Sequence, residues 1–586
     1  MNILDFLTLF GGLGLFLYGM KIMGDGLEKA AGEKMQKIIE AMTSNIFKGV
    51  LVGAVVTAII QSSSATTVMV VGFVNAGIMR LTQAVGIIMG ANIGTTVTAQ
   101  ILRLGDIDKS VWYLAMLKPK TLAPLAIAIG VALVIFSKKK KLNNIGEIFT
   151  GFGILFIGMG TMEGAVHALR DLPQFKQAFT AFSNPILGVM VGAGVTAIIQ
   201  SSSASVGILQ AVASTGLVTF SSAVPIILGQ NIGTCITALL SSIGANKNAK
   251  KAAMIHLFFN VIGTTIFLIV IYTFQGLVGF SFWDSSINRG NIADFHTIFN
   301  ISNTLILIPF AGLLVKFAHL TVRGKEGDMI QQHLDERFLS TPSVAVSQTV
   351  KEVVRMSKVA EKNVLLGIDA ILNKSTNVFG EIEDNEEIID KMESDITKYL
   401  IKIADEPLSN EENKLVSGVF HIITDIERIG DHAVNLGEIA AYMNQESIEF
   451  SDLAKQELAA ITDVTKEILS LALAAHEKQD IILAKKIQPC EDIIDLFKET
   501  LRVKHIDRLT QQKCDPKAGV IFLDIITNLE RIADHCSNIG IAVEQLHSEK
   551  TYFDPHQYLH QLHKSQDKEY MDIYQEYKEK YKAYIT

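Results

Sequence analysis

The run Gln61-Ser62-Ser63-Ser64-Ala65 sits between apolar, glycine-rich flanks, and it returns as Gln200-Ser201-Ser202-Ser203-Ala204, 139 residues later. At the same offset residues 10–20 align with 149–159, 53–60 with 192–199, and 90–96 with 229–235. One constant offset without a gap marks a duplicated unit. Any fold for this chain must bury two copies of a polar stretch in apolar surroundings. It must also satisfy the backbone groups that such a stretch frees.

The chain has 586 residues, 49% hydrophobic and 19% charged, but these averages hide two populations. Up to about residue 320 it is a series of apolar runs rich in Gly and Ser; beyond about 325 it is charged and amphipathic. The runs 3–22, 82–104, 111–136, 145–162, 251–274 and 296–318 approach the roughly 20 residues that span a bilayer as helix. The first run lacks a basic leader and a cleavage pattern, so it reads as a retained span. Cys235, Cys490, Cys514 and Cys536 form no CxxC motif, which leaves no zinc or disulfide framework.

Lysine placement orients the spans. Lys21, Lys29, Lys34, Lys37 and Lys48 follow the first run, Lys138 to Lys141 the third, and Lys247, Lys250 and Lys251 lie in a later loop. All should be cytoplasmic, with the N-terminus outside. The segments 47–78 and 184–218 carry the Gln-Ser-Ser-Ser motif in their middles and read as re-entrant hairpins. Three crossings in the first unit invert the second, so the hairpins enter from opposite faces. Residues 275–295 form an external loop. Lys118-Pro119-Lys120 marks a break or an interfacial start in the third span.

The expected fold class is all-α. Residues 1–140 form the first membrane repeat, 141–324 the second with an extra final span, and 325–345 a polar linker. Residues 346–547 form a cytoplasmic helical domain, and 548–586 a polar, loosely ordered tail. Helices are expected near 346–375, 380–404, 412–444, 451–479, 482–506 and 515–547. This half repeats too: 427–435 match 530–538, 103 residues on, giving two three-helix units.

The Gln-Ser-Ser-Ser stretches offer amides and hydroxyls without charge. Hydroxyl, amide and main-chain oxygens are hard ligands for an alkali cation, and the same hydroxyls donate to an oxyanion. Broken helices in inverted repeats present N-termini to anions and carbonyls to cations. The candidate residues are Gln61, Ser62, Ser63, Ser64, Gln200, Ser201, Ser202 and Ser203. Asn92, Thr95, Asn231 and Thr234, in two Asn-Ile-Gly-Thr runs, are added to them. His256 to Asn260 and His296 to Asn300 repeat a His-x-x-Phe-Asn pattern, read either as a membrane-embedded functional pair or as satisfied structural polar residues.

In the soluble half, Glu386/Asp390, Glu427/Asp431, Glu491/Asp495 and Glu530/Asp534 are carboxylate pairs four residues apart, each on one helix face. They suit a divalent metal or iron; the alternative is a solvated acidic face paired with Arg428 and Arg531.

The doubled Gln-Ser-Ser-Ser motif with Asn-Ile-Gly-Thr resembles the sodium/phosphate cotransporter family over residues 1–320, and 346–547 resemble a PhoU domain with its acidic metal motifs. Cys235 in place of Thr96, and Ser205 in place of Thr66, depart from strict repetition. The resemblance implies Na⁺-coupled movement of inorganic phosphate across the cell membrane by alternating access, with a regulatory PhoU-like domain. Phosphate export, and a membrane sensor without flux, are the other readings it allows. Sodium, phosphate, the bilayer, a second copy of the chain and phosphate-signalling proteins are the expected partners, and nucleic acid is not. With no nucleophile or nucleotide loop in the sequence, phosphohydrolase activity is not expected.

Overall fold

The computed structural model describes residues 3–40, 45–104, 119–137, 139–167, 177, 180–322, 334–547 and 568–585. Among them every named element is helical, and the one extended pairing is an isolated bridge from Thr219 to Ser286. The chain divides into two compact units, Met1–Ser343 and Val344–Thr586.

The first copy of the duplicated unit contains α1 (Ile3–Glu40), α2 (Ile46–Ile60), α3 (Ser63–Asn75), α4 (Leu81–Arg103) and α5 (Pro119–Phe136). The second contains α6 (Lys140–His167), α7 (Pro185–Ile199), α8 (Ser202–Ala213), α9 (Phe220–Ser241) and α10 (Lys247–Leu277). Then come α11 (Arg289–Leu307) and α12 (Ala311–Thr321), joined by a 3-10 turn. Among the described residues, six segments are long and apolar enough to cross a membrane: Leu4–Ala31, Leu81–Arg103, Lys141–Val166, Phe220–Ser241, Lys247–Leu277 and Arg289–Thr321. Leu4, Leu7, Phe10, Phe136 and Leu277 are exposed on this unit, the kind of apolar surface that lipid covers.

One of these differs from the sequence expectation. Phe220–Ser241 was not among the apolar runs, although it is the repeat mate of 82–104. Of the run 111–136, residues 119–136 form α5, and 111–118, Lys118 among them, lie outside the described residues. In addition, α1 does not stop at residue 22. It has no proline to end it and continues through Lys21 and Lys29, where Lys29 pairs with Glu147 of α6 at 2.9 Å.

Glycines bring α1 and its repeat mate α6 together. Gly12 faces Met162, Phe16 faces Gly158, Gly19 faces Leu155 and Met23 faces Gly151. Numbers rise along one helix as they fall along the other, so equivalent helices run antiparallel and the two copies are inverted. Phe16, Met23, Leu155, Phe156, Met159 and Met162 pack there with Ala204 and Ala211 of α8. The pairs α2–α3 and α7–α8 are helices of 15, 13, 15 and 12 residues. At about 1.5 Å per residue none reaches across a hydrocarbon layer of about 30 Å, so each pair is a re-entrant hairpin.

The second unit is built from α13 (Pro342–Asn373), α14 (Phe379–Ala404), α15 (Asn410–Gln445), α16 (Asp452–Lys478), α17 (Ile487–Thr510) and α18 (Pro516–His547). Proline at the first helical position starts α13, four residues before the expected boundary, and a 3-10 turn at Glu336–Ser340 occupies the expected linker. The tail also departs from expectation. Beyond 548–567, which lie outside the described residues, α19 (Lys568–Lys580) and α20 (Lys582–Ile585) are helical. Tyr570, Tyr574, Tyr577, Tyr581 and Tyr584 recur every three or four residues and make one aromatic face. Tyr577 donates to Glu467 at 2.9 Å, and Tyr581 packs on Phe497 at 5.4 Å between ring centres.

Candidate functional site

Each Gln-Ser-Ser-Ser stretch is a helix break, and its residues divide the work. Gln61 ends α2 in left-handed backbone (φ 58°, ψ 22°), and Gln200 ends α7 in the same way (φ 58°, ψ 23°). That conformation costs a non-glycine residue about 1 kcal/mol or more, yet both copies hold it. The next residue turns extended and caps the following helix: Ser62 Oγ accepts from the Ala65 amide at 3.1 Å, and Ser201 Oγ from Ala204 at 3.2 Å. Each break therefore sets a helix C-terminus, with its carbonyls, beside a helix N-terminus, with its amides. The first carries partial negative charge and the second partial positive charge.

The two breaks meet. Ser64 Oγ donates to the main-chain oxygen of Gln200 at 3.0 Å. Thr98 of α4 donates to Gln61 Oε1 at 2.9 Å and accepts from Ser203 Oγ at 3.4 Å. The Gln61 amide donates to the Ala58 carbonyl. Gln61, Ser64, Gln200 and Ser203 thus converge, Ser62 and Ser201 are engaged as caps, and Ser63 and Ser202 are buried. Sequence reading missed Thr98, although it recurs as Thr237 at the same 139-residue offset.

The Asn-Ile-Gly-Thr runs seat the hairpins. A Cβ on Gly94 would lie 2.6 Å from Thr57 Cβ, and one on Gly233 would lie 2.6 Å from Thr196 Cβ. Only glycine lets α4 and α9 approach the outer hairpin arms this closely. Asn92 donates to Asn260 at 2.7 Å and Asn231 to Asn300 at 2.8 Å. The Asn260 and Asn300 amides in turn donate to the His256 and His296 carbonyls at 2.9 and 2.8 Å. The His-x-x-Phe-Asn patterns are therefore the hydrogen-bond partners of the Asn-Ile-Gly-Thr asparagines. Thr95 and Thr234 donate to carbonyls of their own helices at 3.1 and 3.0 Å, away from the breaks. Cys235 Sγ lies 3.6 Å from the Asn231 carbonyl, so this departure from Thr96 keeps a local bond.

In the second unit the four acidic pairs gather into two centres. Glu386 and Asp390 meet Glu427 and Asp431; burial, then the charges of Asp390, Asp431 and Glu427, push Glu386 up to about 8. Both Glu386 carboxylate oxygens are shut off from solvent with no hydrogen-bond donor. In the other centre, oxygens of Glu491, Asp495 and Asp534 lie within 4.8 Å of one another. Burial, then Asp495 and Asp492, push Glu491 up to about 9, and burial with Glu530 pushes Asp495 to about 6. The centres are not copies. Lys498 donates to Glu530 at 2.6 Å, whereas Glu393 stands at the matching place beside the first centre, where Glu427 is raised first by burial, then by Asp431, and least by Asp390 and Glu393. Arg428 and Arg531 reach Asp431 and Asp534 at 3.2 and 3.1 Å from the exposed side. His432 and His535 turn away from the acids toward Asn528 and Asp425, each at 2.9 Å.

Residues 15–164 and 170–321 match the family described as Na+/Pi-cotransporter. The chain belongs to that family. Both halves of the Na+/Pi-cotransporter match contain one hairpin, and residues 353–440 and 458–543 match the PhoU domain. A "Putative inorganic phosphate export protein YjbB" from Salmonella typhimurium is 24% identical over 92% of this chain and 97% of its own length. The protein YqeW of Bacillus subtilis is 30% identical over 53% of this chain and 96% of its own length. Among solved structures, PhoU from Pseudomonas aeruginosa is 21% identical, covers 35% of this chain and 97% of its own, and has a TM-score of 0.33.

Proposed function

We propose that this member of a phosphate-transport family moves inorganic phosphate together with Na⁺, by alternating access around the paired hairpin breaks. The observation that carries the reading is the Ser64–Gln200 contact, which makes two inverted breaks one site. Two helix N-termini supply amides and partial positive charge for an anion, and two C-termini supply carbonyls for cations. Gln61, Ser64, Gln200 and Ser203 line the site, with Thr98 between them. Ser62, Ser63, Ser201 and Ser202 shape the breaks, Gly94 and Gly233 seat the hairpin arms, and Asn92, Thr95, Asn231 and Thr234 brace the helices that carry those glycines. Anion and cation bound together screen each other, so neither crosses a low-dielectric layer alone.

Outward movement is the direction supported by the name of the relatives that span nearly the whole chain. The PhoU domain would then lie in the cytoplasm and regulate flux. Its first acidic centre fits a divalent metal or iron, because Glu386 presents two buried oxygens without donors. Glu386, Asp390, Glu427 and Asp431 would hold one group, and Glu491, Asp495 and Asp534 the other. Such a group would neutralise clustered carboxylates and stiffen the helix pairs. Labelled phosphate flux in proteoliposomes, with wild type against a Gln61→Ala/Gln200→Ala variant, tests the reading. Loss of flux in the variant is expected, and undiminished flux contradicts it.

A further inference from the structure

The two hairpins are tied down by different parts of the chain. The second leaves the bundle through residues 214–221, which are bonded to the loop between α10 and α11. Ile287 N donates to Val218 O at 2.9 Å, Ser221 N to Trp283 O at 2.9 Å, and Phe220 N to Ser285 O at 3.2 Å. That tie is made by a loop whose two flanking helices both lie inside the first unit.

The first hairpin leaves through Asn75 and is tied by residues 335–341. Asp335, 5% exposed, accepts from Asn75 Nδ2 at 2.7 Å and from Arg337 Nη1 at 2.6 Å. Arg337 Nε donates to the Ser241 carbonyl at the end of α9 at 2.7 Å. Phe338 is fully buried, with its ring 4.9 Å from that of Phe73 and its edge over Gly72, inside the last turn of α3. Asn246 closes the junction from the other side, bonding Asn75 through its main-chain nitrogen at 2.8 Å and its side chain at 2.7 Å. Ser340 is followed by Thr341 and then Pro342, the first residue of α13; residues 335–341 lie in the first unit, Met1–Ser343, and α13 runs on from it into the second, Val344–Thr586.

We propose that residues 335–341 are a strap by which the PhoU-bearing unit holds or frees the first hairpin. The proposal rests on the reading that the hairpins move during transport. The strap is suited to the task because it grips by one aromatic side chain and two polar links, Asp335 to Asn75 at the end of α3 and Arg337 to Ser241 at the end of α9. It is also continuous with α13, so displacement of α13 pulls directly on Phe338 and Asp335. Among the described residues, the loop that ties the second hairpin is continuous with α10 and α11 of the first unit. Regulation would therefore act on one hairpin, the one whose exit lies beside Ser241.

A reversible lock tests this. A Cβ built on Gly72 lies 3.4 Å from Arg337 Cβ, close to the spacing of about 3.5–4.5 Å that a disulfide takes. It also lies 2.8 Å from Phe338 Cε1, so the Phe338 ring has to turn to admit it, and each variant is compared only with itself, oxidised against reduced. In a Cys514→Ser background, the full-length Gly72→Cys/Arg337→Cys variant is reconstituted with a phosphate gradient, and bond formation is followed by thiol titration. Oxidation should cut phosphate flux by about tenfold or more and reductant should restore it, while each single variant keeps its flux under oxidant. An oxidised, cross-linked variant that transports like its reduced form overturns the strap. A wild type with no phosphate flux contradicts the transport reading instead. Independently of transport, Phe338→Ala should speed amide exchange in residues 66–76 about tenfold and leave 205–215 unchanged. Equal exchange in both hairpins also overturns the proposal.

Discussion

Replacing Glu386 by glutamine should stabilise the second unit, and only at high pH. The folded protein holds the Glu386 carboxyl at about 8 against an ordinary 4.5, first through burial and then through Asp390, Asp431 and Glu427. A raised acid favours the protonated folded form, so its ionisation destabilises. The penalty is absent below about 4.5, grows as pH rises through the window, and is complete above about 8. The full shift corresponds to about 5 kcal/mol. The residue as a whole is only half-buried although its carboxylate oxygens are covered, and screening by the nearby solvent reduces this to about 2 kcal/mol. Amide exchange of residues 382–393, in the full chain with a chelator present and corrected for intrinsic rate, reads the local stability. In wild type, protection should fall about 30-fold between about pH 5 and pH 9. Glu386→Gln should abolish most of that fall and match wild type at the lower pH. Wild-type protection that ignores pH, or a Glu386→Gln protein that loses protection to the same extent, would refute the reasoning.

Three further outcomes follow from named contacts. Gly94→Ala or Gly233→Ala forces a methyl against Thr57 or Thr196 and should cost about 1–3 kcal/mol, read as a lower thermal midpoint in detergent. Gly14→Ala, with nothing within 4 Å of the new Cβ, should be neutral. Asn260→Ala removes the acceptor of Asn92 and should cost about 1 kcal/mol, with Asn300→Ala doing the same at Asn231. Lys498→Met frees Glu530 of its cation, so Mn²⁺ bound per chain, measured by elemental analysis, should rise; unchanged metal content argues against Lys498 as a counter-charge.

The duplication and inversion were legible because a gapless offset and an odd number of spans need no tertiary information. The breaks were legible because Gln-Ser-Ser-Ser has no place on a lipid face. What each residue does there was not, since left-handed glutamine is a conformation that sequence assigns to glycine or asparagine. Phe220–Ser241 was within reach of the sequence, since its mean hydropathy of 1.6 exceeds the 1.4 of its repeat mate Leu81–Arg103 and the 139-residue offset points to it. The roles of Asn92 and Asn231 needed partners 168 and 69 residues away. The acidic pairs could be read from spacing, but Lys498 and Glu393, which make the two centres unlike, emerge only when α17 and α14 are set against their partner helices. The strap was invisible for the same reason: Asp335, Arg337 and Phe338 look like any polar linker until Gly72 and Asn75 are placed beside them.

The central claim is that the two hairpin breaks form one site that couples phosphate to Na⁺. Radiolabelled phosphate flux in proteoliposomes, with the Na⁺ gradient imposed, reversed or absent, tests it most directly. The account predicts flux that follows the Na⁺ gradient and is lost in Gln61→Ala and Gln200→Ala alike. Flux indifferent to Na⁺, or lost in one variant and intact in the other, would contradict it.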